Sequence, residues 1–264
     1  MAKTICASFV ATCDRLANQV SIIHHARGRW IERTWRDYYE MVERTAVAFH
    51  ELGVRPGVRV AILANTRVEW ALCDLAVLGL GGTTVPIYQN STAADIEYIL
   101  NNSQARLLVC EDQKLVDRFN TIRSRCTSLN NVICIERLKE SDNFFIPWSE
   151  FNKIGEDSLE SKSNLFRDAC LGRRLDETAT LMYTSGTTGL PKGVILTHQQ
   201  VSSEVGEAFP MVGINDQDTT LTFLPYAHVM GRIEMWGHAV FGYTMGFAQS
   251  IEHMRSNMAV IKPT

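Results

Sequence analysis

Between residues 58 and 135 four short aliphatic runs, VRVAIL, TTVPI, RLLVC and NVICI, alternate with segments of helical pattern. Each run is rich in β-branched residues and bounded by turn residues, with no polar alternation along it. A strand of that kind is buried on both faces. Between the runs, helices are predicted over 67–79, 93–101 and about 112–124. Strands alternating with helices at this interval predict parallel β-α-β units with right-handed crossovers, hence an α/β fold.

The flanking regions extend the pattern. Trp35, Tyr38, Tyr39, Val42, Ala46 and Phe49 follow helical spacing and make one apolar face over 35–52. Thr34 stands at the N-cap with Asp37 three residues on, and Gly53 with Pro56-Gly57 closes the segment. Residues 137–177 are polar and irregular, with one helix expected around 158–170. Beyond them, the strand ATLMYT enters a polar loop and VILTH leaves it. A helix over 198–208, the strand TLTFL, a helix over 230–240 and a last one over 251–261 follow. The expected division is a first α/β subdomain over about 1–136, an irregular excursion over 137–177 and a second, incomplete subdomain over 178–264.

Composition narrows the function classes. With 45% apolar and 21% charged residues over 264 positions, the chain has the make-up of a globular protein with a sizeable core. A net charge of −3 gives neither the basic stripe of a nucleic-acid binder nor an electrostatic reason to dock on anionic lipid. The longest apolar stretch, WALCDLAVLGLGGTTVPIY, carries Asp74 and three glycines, so it reads as helix, turn and strand, with no transmembrane segment expected. The start, MAKTICASFVATCDRL, lacks the succession of a signal peptide. Seven cysteines at irregular spacings form no C-x-x-C pair and fit free thiols in a reducing cytoplasm. Neither they nor the seven histidines show a transition-metal spacing.

The segment LMYTSGTTGLPKGVILTH, residues 181–198, concentrates the chemistry. A Walker loop needs G-x-x-x-x-G-K-[ST] opening a helix. Here Gly186 and Gly189 are three apart, Lys192 precedes Gly193, and Pro191 with the β-rich VIL blocks a helix. Phosphate binding survives that mismatch. Gly186, Gly189 and Gly193 let backbone N–H groups approach anionic oxygens, Thr184, Ser185, Thr187 and Thr188 offer hydroxyls, and Lys192 adds a mobile cation. An exposed hairpin is the plainer alternative, but hairpins seldom place four hydroxyls beside one lysine.

At YTSGTTGLPKGV, residues 183–194, the chain resembles the signature loop of the adenylate-forming, AMP-binding enzymes. That group includes acyl-CoA synthetases, adenylation domains of peptide synthetases and luciferases. The likeness runs over nearly the whole chain. Residues 80–112 and FLPYAHVMGRIEMW, 223–236, are similar to the long-chain fatty acyl-CoA synthetases in particular. The resemblance implies attack of a carboxylate on the α-phosphorus of ATP, giving acyl-AMP and pyrophosphate, then transfer of the acyl group to coenzyme A. It implies that Thr184, Ser185, Gly186, Thr187, Thr188 and Gly189 hold the ATP phosphates. Thr184 would help to place Mg²⁺, and Lys192 would order the loop or face phosphate.

By the same resemblance His228 lies near the acyl carboxylate and adenylate, with Met230 and Arg232 beside the substrate; Met230, Met235 and Trp236 could line an acyl tunnel, although an apolar helix face in the core is the plainer reading. Some family members carry a tryptophan gate where Arg232 stands. The family's later Y-G-x-T-E segment, ribose-binding Asp, hinge and C-terminal domain with its catalytic Lys have no counterpart here. The resemblance therefore implies the N-terminal portion of a longer enzyme, inactive alone. Its expected partners are small molecules (a fatty acid, ATP and coenzyme A), with no nucleic acid, while peripheral membrane association and oligomeric state stay open. Two alternatives remain: delivery to a carrier protein in place of coenzyme A, and a non-catalytic ATP- or acyl-binding protein.

Overall fold

The computed structural model describes residues 3–184 and 190–264. Helix α1 (Ile5–Leu16) leads into the hairpin β1 (Val20–Ala26) and β2 (Arg29–Thr34), then α2 (Trp35–Glu51). The central run is β3 (Arg59–Leu63), α3 (Val68–Gly79), β4 (Thr83–Ile87), α4 (Ala93–Ser103), β5 (Leu107–Cys110), α5 (Gln113–Asn120) and β6 (Asn131–Cys134). After it come β7 (Phe145–Pro147), α6 (Trp148–Leu159), α7 (Leu165–Leu171), β8 (Thr178–Thr184) and β9 (Lys192–Thr197). The last stretch holds α8 (His198–Val212), β10 (Thr219–Thr222), α9 (Val229–Phe241), β11 (Thr244–Phe247) and α10 (Met254–Ile261).

Two sheets result. One has the order β7-β6-β5-β3-β4-β8-β9, parallel except for the antiparallel β8–β9 pair. The other has the order β10-β11-β1-β2, parallel apart from the β1–β2 hairpin. The α/β class expected from the sequence is the observed one.

The central strands are buried on both faces, as their unbroken apolar runs require. On β3, Val60 and Ile62 join one core while Ala61 and Leu63 join the other; on β5, Leu107 and Val109 part from Leu108 and Cys110 in the same way. The first core is built around Phe9, Trp35, Phe49, Trp70 and Trp236, and the second around Ile96, Leu100 and Phe119. Helix α2 carries the anticipated capping box, with Thr34 Oγ1 accepting from the Asp37 N–H at 3.1 Å and Asp37 accepting from the Thr34 N–H at 2.9 Å.

Two expectations need correction, and one region carries no expectation at all. Residues 137–177 hold β7 and two helices, α6 and α7, where one helix was expected. Phe151 and Phe166 on these helices are fully buried, so the segment is part of the core despite its polar composition. The chain also does not divide at residue 136 or 178 in space: β8 and β9 complete the sheet begun by β3, while β10 and β11 join β1 and β2. Finally, the sequence reading places nothing in residues 5–34, where α1 and the hairpin stand. The hairpin turns at Arg27-Gly28, both with positive φ (51° and 77°), which suits a type I′ turn. Among the described residues, no helix is long and apolar enough to cross a membrane.

Candidate active site

Strand β8 lies parallel to β4, with Thr84 opposite Thr180, and ends at Thr184. The glycine-rich segment therefore leaves the sheet at the carboxyl end of a parallel strand, where open α/β sheets bind their ligands. Strand β9 returns antiparallel, with Thr184 paired to Lys192 and Tyr183 to Gly193. Thr184 and Lys192 thus face each other across the mouth of the hairpin, both exposed. Ser185, Gly186, Thr187, Thr188 and Gly189 lie outside the described residues.

The base of the hairpin is anchored. Tyr183 donates from its hydroxyl to Asn102 Oδ1 on α4 at 2.6 Å and packs edge-on against Tyr98. Opposite it, a Cβ on Gly193 would come within 3.1–3.3 Å of Leu181 and the Tyr183 ring, so glycine gives the tyrosine room to lie across the strand pair.

The segment from Phe223 to His228 connects β10 to α9. Thr66, just after β3, holds it at two points: its hydroxyl donates to the Leu224 carbonyl at 2.6 Å and accepts from the Tyr226 N–H at 3.2 Å. Gly231 permits the tight approach of α9, because a Cβ there would sit 2.6 Å from the Pro225 carbonyl oxygen. His228 is the exposed N-cap of α9, and its Nδ1 accepts from the Met230 N–H at 3.2 Å. Phe223, Leu224 and Met230 are exposed around it.

Arg232 is not where the sequence placed it. It is fully buried and ion-paired with Asp74 of α3, itself fully buried, so its guanidinium faces the core and not a substrate. Its second amino group donates to Thr180 Oγ1 on β8. Asp74 also accepts from Thr84 Oγ1 at 2.7 Å and from Trp236 Nε1 at 2.9 Å. The guanidinium lies over the rings of Trp236 and Trp70, 4.4 and 5.3 Å from their centroids. Burial pulls the pKa of Arg232 down and the Asp74 carboxylate opposes that shift. Met235 and Trp236 are fully buried in the core, in keeping with the plainer reading of that helix face.

The structure thus brings together Thr184 with Lys192 and, separately, His228 with Met230. The residues that the sequence left without a role are Asp74, Thr84 and Thr180. Asp74 carried a usable signal, since a carboxylate inside an otherwise apolar helix needs a buried partner. Among the described residues, no group of three or more His, Cys, Asp or Glu side chains could hold a metal ion.

Comparison with known proteins agrees with this architecture. The family model described as AMP-binding enzyme matches residues 9–263. A long-chain-fatty-acid–CoA ligase of Xenopus laevis is 27% identical over 99% of this chain and 36% of its own length. One of Mycobacterium bovis is 31% identical over 90% of this chain and 38% of its own. The chain therefore spans little more than a third of these relatives.

Among solved structures, an anthranilate CoA ligase in complex with anthranoyl-AMP superposes with a TM-score of 0.82 at 20% identity, covering 100% of this chain and 49% of that one. A Mycobacterium tuberculosis fatty acyl CoA synthetase gives 0.78 at 19% identity, covering 97% and 47%. These likenesses are ones of fold. With the family model matched from residue 9 to residue 263, the chain belongs to the AMP-binding enzyme family and corresponds to the N-terminal portion of such enzymes.

Proposed function

We propose that this chain contributes the ATP-phosphate clamp of an enzyme that activates a long-chain fatty acid to acyl-AMP and then to acyl-CoA. The observation carrying the proposal is the Thr184–Lys192 pair at the mouth of the 185–189 segment, at the carboxyl end of β8. The names of the curated relatives support a long-chain fatty acid as substrate.

The chemistry asks for little covalent help from the protein. A carboxylate must approach the α-phosphorus of ATP, and both partners are anions. Holding them in line and neutralising phosphate charge supplies most of what the step needs. Lys192 provides the cation, Thr184 a hydroxyl, and the hydroxyls and glycine N–H groups of 185–189 the remaining donors. His228, exposed at the start of α9, is assigned to the acyl carboxylate, with Met230 beside it.

Mg²⁺ is bound mostly by phosphate oxygens and water, with few protein ligands. An exposed hydroxyl at a strand end, opposite one lysine, fits a metal that arrives on the nucleotide. When bound, that ion neutralises phosphate charge. Coenzyme A is the proposed acyl acceptor.

In the enzyme that carries this chain, pyrophosphate release from ATP is expected only with a fatty acid present, and to be strongest for long chains. Equal release from acetate through palmitate would overturn the long-chain assignment. Thr184→Ala and Lys192→Ala are each expected to slow acyl-adenylate formation by about tenfold or more, as for single donors lost from a charged transition state. Single-turnover rates equal to the parent's would remove both residues from the clamp.

A further inference from the structure

We propose that the buried Arg232–Asp74 pair is a positioning strap, which sets the separation between the hairpin mouth at Thr184 and the His228 end of α9. The proposal rests on the acid-activating reading above. It adds to that reading two residues, Asp74 and Thr180, that touch neither substrate nor nucleotide.

The geometry is a closed ring of four elements. Thr180, Met182 and Thr184 alternate onto one face of β8, and Thr180 stands about 13 Å before Thr184 along the strand. Arg232 donates to Thr180 Oγ1, and that hydroxyl donates in turn to the Thr84 carbonyl of β4 at 2.8 Å. Thr84 Oγ1 then reaches Asp74 on α3, and Asp74 returns to Arg232 and Trp236 on α9. On its own helix, Arg232 is one turn from His228, with its N–H donating to the His228 carbonyl at 3.3 Å. One guanidinium therefore grips the strand that ends in Thr184 and stands about 6 Å behind the helix end that carries His228.

The two ends belong to different sheets. Strand β8 lies in the seven-stranded sheet, while α9 connects β10 and β11 of the four-stranded one. Apolar packing alone would hold these layers together, and it does so through Met235 and Trp236 in the core. Packing is tolerant of sliding, whereas a planar guanidinium meets two partners at fixed directions. Nor is stability a sufficient reason for the pair, since apolar residues of similar volume usually serve as well or better. What Arg232 adds is register between the layers, and register between Thr184 and His228 is what an in-line adenylation requires.

Thr180→Val removes the hydroxyl that Arg232 grips and keeps a strand-favouring shape. The double variant Asp74→Leu with Arg232→Met removes the pair without stranding a charge. In the enzyme carrying this chain, each is expected to lower the single-turnover rate of acyl-adenylate formation by about tenfold or more, with the KM for ATP within about twofold of the parent. The double variant should keep a urea midpoint close to the parent's, well above that of a variant that removes Arg232 alone. A second measurement does not use activity. With nitroxide labels at Val194→Cys and Met230→Cys, both exposed while the seven native cysteines are buried, electron spin resonance should give one narrow distance. Thr180→Val should broaden or shift that distance.

A distance distribution unchanged by Thr180→Val overturns the strap. So does a parent that forms acyl-adenylate at the same rate as both variants. A parent that forms no adenylate with any fatty acid overturns the proposed function instead, and the distance measurement still decides the strap.

Discussion

Replacing Arg232 with alanine is expected to lower stability by about 3–5 kcal/mol, read from the urea unfolding midpoint. The loss comes from what is left behind. Asp74 would remain fully buried, with Thr84 and Trp236 as hydrogen-bond donors but no opposing charge. The space beneath the Trp70 and Trp236 rings would also empty. Adding Asp74→Leu to a methionine at position 232 should restore most of the loss, because the cost lies in the unpaired charge and not in the absence of a salt bridge. If Arg232→Ala unfolded within about 1 kcal/mol of the parent, the pair would not be the buried junction described.

Acidification from pH 7 to pH 5 is expected to lower stability by about 2 kcal/mol through His238 alone. His238 is fully buried on α9, stacked on Trp35 with centroids 4.5 Å apart, and its Nε2 lies 3.1 Å from the Ser21 carbonyl oxygen. Burial pushes its pKa from 6.5 down to about 3, with the Ser21 carbonyl opposing. A folded-state value below the unfolded one means that the unfolded chain binds the proton first. The contribution is therefore fully present above about pH 6.5 and shrinks steadily as pH falls towards 3.

His198 and His24 are shifted down by burial too and add in the same direction. Glu234 is shifted up by burial, so its contribution has the opposite sign, but it is common to any pair of variants compared. His238→Gln should therefore flatten the dependence of the urea midpoint on pH between 7 and 5 relative to the parent. An unchanged slope would mean that His238 is not held neutral in the fold.

How far the sequence foretold this structure depended on where the physical constraint was local. The four runs from 58 to 135 were legible because a strand buried on both faces shows as an unbroken apolar run. Helix α2 was legible because Thr34, Asp37 and the Tyr38–Val42–Ala46–Phe49 stripe are local signals. The β1–β2 hairpin was not, since Arg27-Gly28 is a weak turn signal and β1 is held by β11, more than two hundred residues away in the chain. Residues 137–177 misled by being polar on average while Phe151 and Phe166 reach the core. At the site, two strands flanking a loop were legible, but the Thr184–Lys192 pairing was not, because Pro191 and Gly193 hide that β9 already starts at Lys192. Arg232 was misplaced because the resemblance carries over a position in a motif and not the partner of the residue that fills it, and Asp74 is far from it in sequence.

The cap that His228 makes on its own helix bears on the role proposed for this histidine. Its Nδ1 is engaged as an acceptor from the Met230 N–H. With Nδ1 accepting, Nε2 is the ring nitrogen that carries a proton to donate. A carboxylate approaching the start of α9 meets a hydrogen-bond donor, next to N–H groups at the positive end of a helix dipole. The ring is thus arranged to attract and orient an anion and has no free lone pair with which to take a proton. The carboxylate of the proposed function is already ionised at neutral pH and needs no base. The turn that caps α9 thus leaves His228 one ring donor for an anion that approaches the start of the helix.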